Sequence, residues 1–143
     1  MLNQWLNKMH GTKCSGNGEL WLDPKGNEAV LYECALSINN DSINYTWMYE
    51  NETREGRFTF NQKGAVWIDS WHQPKSIQCI QTPNAWGIFD VKCTYDVPNS
   101  PSWGWQIKLS ERPDNTLVLQ MTNITPWGED GRAVRMLFEC NKN

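Results

Sequence analysis

Asp69 and His72 are the residues of this chain best suited to chemistry, and they share one string, Trp67-Ile68-Asp69-Ser70-Trp71-His72. A carboxylate between two tryptophans is expensive to bury alone. If it faces inward it needs a role that compensates, as a general base or as a hydrogen-bond partner for a ligand. The plainer alternative is an Asp69 turned outward, or one capping the corner at Gln73-Pro74. His72 is one of two histidines, and an imidazole can serve as acid, base or metal ligand near neutral pH. Three residues apart in a strand, Asp69 and His72 point to opposite faces. They can meet only if the chain bends at that corner. The other histidine, His10, falls at the end of an opening helix, where a positive charge suits the helix dipole. No Ser-His-Asp order, HExxH, phosphate-binding loop or GxGxxG occurs. The sequence therefore predicts no metal and no cofactor, and an enzyme is the less favoured reading.

Tryptophan is the unusual entry in the composition, with nine residues. Each brings roughly 150–250 Å² of burial and one N–H that wants a partner. In Trp103-Gly104-Trp105-Gln106-Ile107 the apolar residues alternate, so Trp103 and Trp105 share a face with Ile107 and Leu109. The next segment would line the same interior with Leu117, Leu119, Met121 and Asn123. Around Asp69 both faces are partly apolar, and the direction stays open. Tyr45, Trp47 and Tyr49 form one face that could stack sugar rings; inward packing is the better explanation, because Asn44, Thr46, Met48 and Glu50 oppose them. A cavity walled by Trp47, Trp67, Trp71, Trp103 and Trp105, with Asp69, His72 or Asn123 fixing orientation, would suit a small apolar or aromatic molecule. The competing expectation is that these rings simply fill the interior.

The elements that position these residues are almost all strands. Leu2, Trp5, Leu6 and Met9 fall at helical spacing, and Gly11 supplies the stop. That helix is marginal alone, and plugging one barrel mouth is its natural role. From Gly18 onward the chain breaks into short alternating runs between turn residues. The expected strands are Glu19–Asp23, Glu28–Ile38, Ile43–Glu50, Arg57–Gln62, Ala65–Trp71, Lys75–Gln81, Trp86–Tyr95, Trp103–Ser110, Thr116–Asn123 and Arg132–Cys140. Turns are expected at Pro24-Lys25-Gly26-Asn27 and Thr82-Pro83-Asn84. With no crossover helices, the strands must be antiparallel, and closing the sheet removes two exposed edges. The prediction is a single all-β domain over residues 1–143, a closed up-and-down barrel of about ten strands with a short N-terminal helix.

A net charge of −3, with Lys and Arg spread singly, argues against nucleic acid and against an anionic membrane surface. No run approaches the ~18 apolar residues of a membrane span, and Met1–Met9 is too polar and short for a signal peptide. The five cysteines, Cys14, Cys34, Cys79, Cys93 and Cys140, are odd in number and form no CxxC pair. Free, mostly buried thiols in a reducing cytoplasm are the expectation. The Asn-x-Ser/Thr triplets at Asn40, Asn44, Asn51 and Asn123 are read as chance in an Asn-rich chain.

The Asp-x-Trp-His string and Pro101-Ser102-Trp103-Gly104-Trp105-Gln106-Ile107 carry more than periodicity. So do Leu119-Gln120-Met121-Thr122-Asn123-Ile124-Thr125-Pro126 and the opening Leu2-x-x-Trp5-Leu6 with Gly16-x-Gly18-Glu19. Together they resemble a family of bacterial calycin-like barrels, distant kin of lipocalins, fatty-acid-binding proteins and nitrobindins, and the likeness spans nearly the whole chain. It implies the barrel and no particular chemistry. Nitrobindins carry an iron-binding histidine in the last strand, and Arg132–Cys140 has none, so haem is not expected. The functional expectation is a cytoplasmic protein that binds a small, largely apolar or aromatic molecule. The alternatives are an enzyme using Asp69 or His72 in proton transfer, and a filled barrel whose outer face meets a protein partner.

Overall fold

A computed structural model describes residues 2–23, 27–82 and 87–141. Helix α1 (Leu2–Met9) is followed by ten strands: β1 (Lys13–Trp21), β2 (Ala29–Ile38), β3 (Ser42–Tyr49), β4 (Glu52–Asn61), β5 (Gly64–Asp69), β6 (Gln73–Gln81), β7 (Phe89–Tyr95), β8 (Trp103–Glu111), β9 (Leu117–Ile124) and β10 (Asp130–Asn141). Each pairs antiparallel with its neighbours in sequence, and β1 pairs with β10 to close the barrel. The expected architecture stands. Trp86, Pro24, Lys25, Gly26, Pro83 and Asn84, which carried the expected strand start and turns, lie outside the described residues.

Period-two patterning decides which side chains enter. Leu36 and Ile38 of β2, Ile43, Tyr45 and Trp47 of β3, Phe58 of β4, Phe89 and Val91 of β7, Ile107 and Leu109 of β8, and Leu117, Leu119 and Met121 of β9 are all buried. Leu31, Met48 and Ile68 sit at outward positions and are exposed. Leu6 of α1 has no exposed surface, so the helix does close one end. Its stop forms as expected, with Gly11 at φ +84° and its N–H donated to Ile38 O at 2.8 Å. His10 Nδ1 accepts the Asn40 N–H at 3.0 Å, which pins the end of the helix to the β2–β3 turn. No described helix is long and apolar enough to cross a membrane.

Three boundaries differ from expectation in ways that matter, the first being β4, which begins at Glu52 and not at Arg57 and so takes Gly56 into the sheet. β1 begins at Lys13, well before Glu19. The added stretch Lys13–Gly18 is largely polar and contains two glycines, so no alternation marks it. Gly16 lies so close to Leu137 that a Cβ would stand 1.7 Å from the Leu137 carbonyl oxygen. β5 ends at Asp69 and not at Trp71. Ser70, Trp71 and His72 form the turn into β6.

The thiol expectation is overturned in part. Cys14 and Cys140 oppose each other in the β1–β10 register and are joined by a disulfide across 126 residues of sequence. Cys34, Cys79 and Cys93 are free and buried.

The helix end of the barrel is thus sealed by α1 and bolted by a disulfide. The opposite end, the mouth, is formed by the β1–β2, β3–β4, β5–β6, β7–β8 and β9–β10 connections, and Trp47, Trp67, Trp71 and Trp105 lie toward it.

Candidate functional site

Tyr45, Gly56 and Asp69 lie side by side across β3, β4 and β5. The middle position has no side chain, and that absence builds the site. A Cβ on Gly56 would stand 1.9 Å from Cζ of Tyr45, so the Tyr45 ring lies over the glycine and reaches the next strand. Its hydroxyl donates to Asp69 Oδ2 at 2.6 Å, and Trp47 Nε1–H donates to the same oxygen at 3.2 Å. Trp67 Nε1–H completes the cluster by donating to the Tyr45 oxygen at 2.9 Å. Burial, reinforced by the Asp69 charge, raises the Tyr45 pKa well above its ordinary value, so the phenol keeps its proton and remains a donor.

The other carboxylate oxygen shapes the backbone. Asp69 Oδ1 accepts the N–H groups of Trp71 at 2.9 Å and His72 at 2.8 Å. This Asx-type turn reverses the chain and folds His72 back over the barrel. Asp69 and His72 therefore share one end of the barrel because the carboxylate itself makes the bend. Four donors satisfy a carboxylate with no exposed surface, which is what a buried anion requires. Beyond the turn, β6 leaves the β5 ladder irregularly between the Trp67↔Ile77 and Asp69↔Gln73 pairs. Pro74, which has no N–H to offer a ladder, lies in that interval.

The His72 ring is packed among indoles. It stacks on Trp47 with centroids 5.2 Å apart, meets Trp71 edge-on at 4.7 Å, and tilts against Trp105 at 5.4 Å. Trp67 and Trp105 stack almost parallel, 5.9 Å apart. These rings wall a pocket of about 230 Å³ lined by Trp67, Trp71, His72, Gln73, Cys93, Tyr95 and Trp105. Beside it β6 and β7 diverge: they pair at Ile80↔Lys92 and Gln81↔Val91, near the helix end. Two polar atoms of the lining, His72 Nε2 and Trp105 Nε1, are buried with no hydrogen-bond partner among the described residues.

Burial depresses the His72 pKa, and the Asp69 charge opposes that only in part. Below the ordinary value near 6.5 the unfolded chain binds a proton that folded His72 resists, so stability rises with pH there. This contribution is fully present above about pH 6.5 and is lost as the pH falls toward the depressed value. Urea midpoints measured from pH 7.5 down to 5 should decline more steeply for the native chain than for His72→Gln. Equal slopes would remove His72 as the cause.

Trp67, Trp71, His72 and Trp105 come together as the sequence suggested. Asp69 does not line the pocket; it holds the turn that does. Trp47 lies behind His72, almost wholly buried. Asn123 accepts a short hydrogen bond from the Tyr95 hydroxyl and borders a neighbouring depression with Trp21 and Arg132, whose guanidinium sits over the Trp21 ring at 4.5 Å. Trp103 is elsewhere. It donates to Ser100 Oγ at 3.1 Å and meets the exposed Trp127 edge-on, because its strand has passed the rim there. The period-two face Phe89, Val91, Cys93, Tyr95 carried a signal for Cys93 and Tyr95 that tryptophan counting overlooked. Gln73, in the corner, carried none. Among the described residues no three His, Cys, Asp or Glu side chains converge to hold a metal ion.

No protein-family model matches this chain, and no curated protein matches its sequence.

Proposed function

We propose that this barrel binds a small, flat, largely apolar molecule at its mouth, seated against Trp67, Trp71 and Trp105. The observation that carries the reading is the pair of buried, unpartnered atoms, His72 Nε2 and Trp105 Nε1, in the same aromatic-walled pocket. Unsatisfied buried polar groups cost roughly 1–3 kcal/mol each, and a ligand that bonds them recovers that energy. The indole N–H can only donate, so the ligand presents an acceptor to Trp105; His72 takes a second polar atom. The volume is below the roughly 300–1,000 Å³ usual for drug-sized ligands. A single or fused ring bearing a carbonyl, hydroxyl or ring nitrogen fits this description better than a long acyl chain.

The ten-stranded up-and-down barrel with its N-terminal helix supports the further proposal that the chain is of calycin type. The Cys14–Cys140 disulfide weighs against a cytoplasmic location, since disulfides persist mainly in oxidising compartments. A second reading, proton transfer to the bound molecule, rests on the same free His72 nitrogen and no longer on Asp69, whose oxygens are occupied.

Titration with 2-naphthol tests the binding proposal. Native protein should show saturable quenching of tryptophan emission. Trp105→Ala should weaken binding at least tenfold, while Trp103→Ala leaves it unchanged. Absent saturation, or equal losses in the two variants, would overturn the proposal in favour of a filled barrel with a surface partner.

A further inference from the structure

Two of the free cysteines face each other where the barrel wall parts. β6 and β7 pair at Gln81↔Val91 and Ile80↔Lys92. One residue nearer the mouth, the same register sets Cys79 opposite Cys93. Within a ladder, opposed residues stand roughly 4.5–5.5 Å apart at Cα, within the span of a disulfide, and Cys79 and Cys93 follow the last ladder pair by one residue. The same arrangement across β1 and β10 is already bonded at Cys14 and Cys140. Cys79 has no exposed surface and Cys93 only 8%. Cys93 nevertheless lines the pocket, so a small reagent reaches it through the mouth, and reaches Cys79 only through Cys93.

We propose that Cys79 and Cys93 form a reversible dithiol, oxidised by small disulfides that enter the mouth pocket, and that their bond fastens β6 to β7 at the point of divergence. In the first step Cys93, as thiolate, attacks one sulfur of the small disulfide; a mixed disulfide forms and one thiolate leaves, taking up the proton Cys93 lost. Cys79 then attacks the Cys93 sulfur, yields its proton to the second departing thiolate, and closes the protein disulfide. Two protein thiols are oxidised and one small disulfide is reduced to two thiols. The two sulfurs are hydrogen-bonded, which holds Cys93 below its ordinary pKa and Cys79 above. That ordering matches the order of attack. Cys34, the remaining free cysteine, lies outside this pair, and burial pushes its thiol up to about 12.

The test uses bis(2-hydroxyethyl) disulfide on native protein, followed by unfolding in iodoacetamide without reductant and intact-mass and peptide analysis. Of the three free thiols, two should become resistant to alkylation, with a peptide linking Cys79 to Cys93. Cys79→Ala should instead stop at a hydroxyethylthio adduct on Cys93. The native-protein result does not depend on that variant folding. Three alkylated thiols, or an adduct placed on Cys34 in preference to Cys93, would overturn the proposal.

Discussion

Asp69→Ala should cost about 3–5 kcal/mol of folding stability, more than most single substitutions. The change strips the acceptor from four donors at once: the Tyr45 hydroxyl, the Trp47 indole, and the backbone N–H groups of Trp71 and His72. Two of these are side-chain donors almost wholly removed from solvent, and each buried donor left alone costs roughly 1–3 kcal/mol. The turn amides recover water in part, which keeps the total below the sum. With a urea slope of about 1–3 kcal/mol per molar, the midpoint should fall by about one molar or more. Asp69→Asn should be intermediate, because it keeps one acceptor and turns an NH₂ toward groups that also donate. A cost under about 0.5 kcal/mol, as at an ordinary surface position, would mean the carboxylate does not hold the turn.

Gly56→Ala should be nearly as damaging, although it adds one methyl group. That methyl would sit 1.9 Å from Tyr45 Cζ and 2.2 Å from its oxygen. The ring is fully buried and has nowhere to go without releasing Asp69. Overpacking costs roughly 1–3 kcal/mol, and the lost charge-assisted bond adds to it, for an expected total of about 3–4 kcal/mol. A double-mutant cycle separates this mechanism from a general intolerance of alanine in β4. Combined with Tyr45→Ala, which is costly by itself, Gly56→Ala should add almost nothing, since the clash is gone. Gly128→Ala is the control. A Cβ there meets no atom of the described residues within 4 Å, and its φ of +88° is what opposes the change. Equal penalties at the two glycines, or full additivity with Tyr45→Ala, would refute the proposed role of Gly56.

The barrel was legible because alternation in runs such as Trp103–Leu109 and Leu117–Met121 depends on nothing beyond each strand's own inward face. The first half of β1 was not, because Gly16 and Gly18 answer to neighbours: the Leu137 carbonyl and the Tyr32 ring occupy the space a side chain would need. The site was half legible. Tryptophan and histidine content marked Trp67, Trp71, His72 and Trp105, yet strand periodicity separates Asp69 from His72 and cannot foresee a bend made by the carboxylate's own hydrogen bonds. Trp103 shows the reverse error, correct in parity but placed beyond the rim. Counting cysteines failed for a topological reason. Cys14 and Cys140 become neighbours only when the last strand returns to the first, and no local spacing records that return.

That return has a mechanical consequence. Residues 14–140 form one covalent ring, and its clasp sits on the β1–β10 seam, the pairing that brings together the parts of the chain most distant in sequence. Unzipping there would bare two strand edges ready to template a neighbouring molecule or to exchange strands with it. The clasp keeps those edges together through thermal fraying. A single proteolytic nick in any mouth loop would likewise leave both pieces tethered in place, so cutting the chain once does not take the barrel apart.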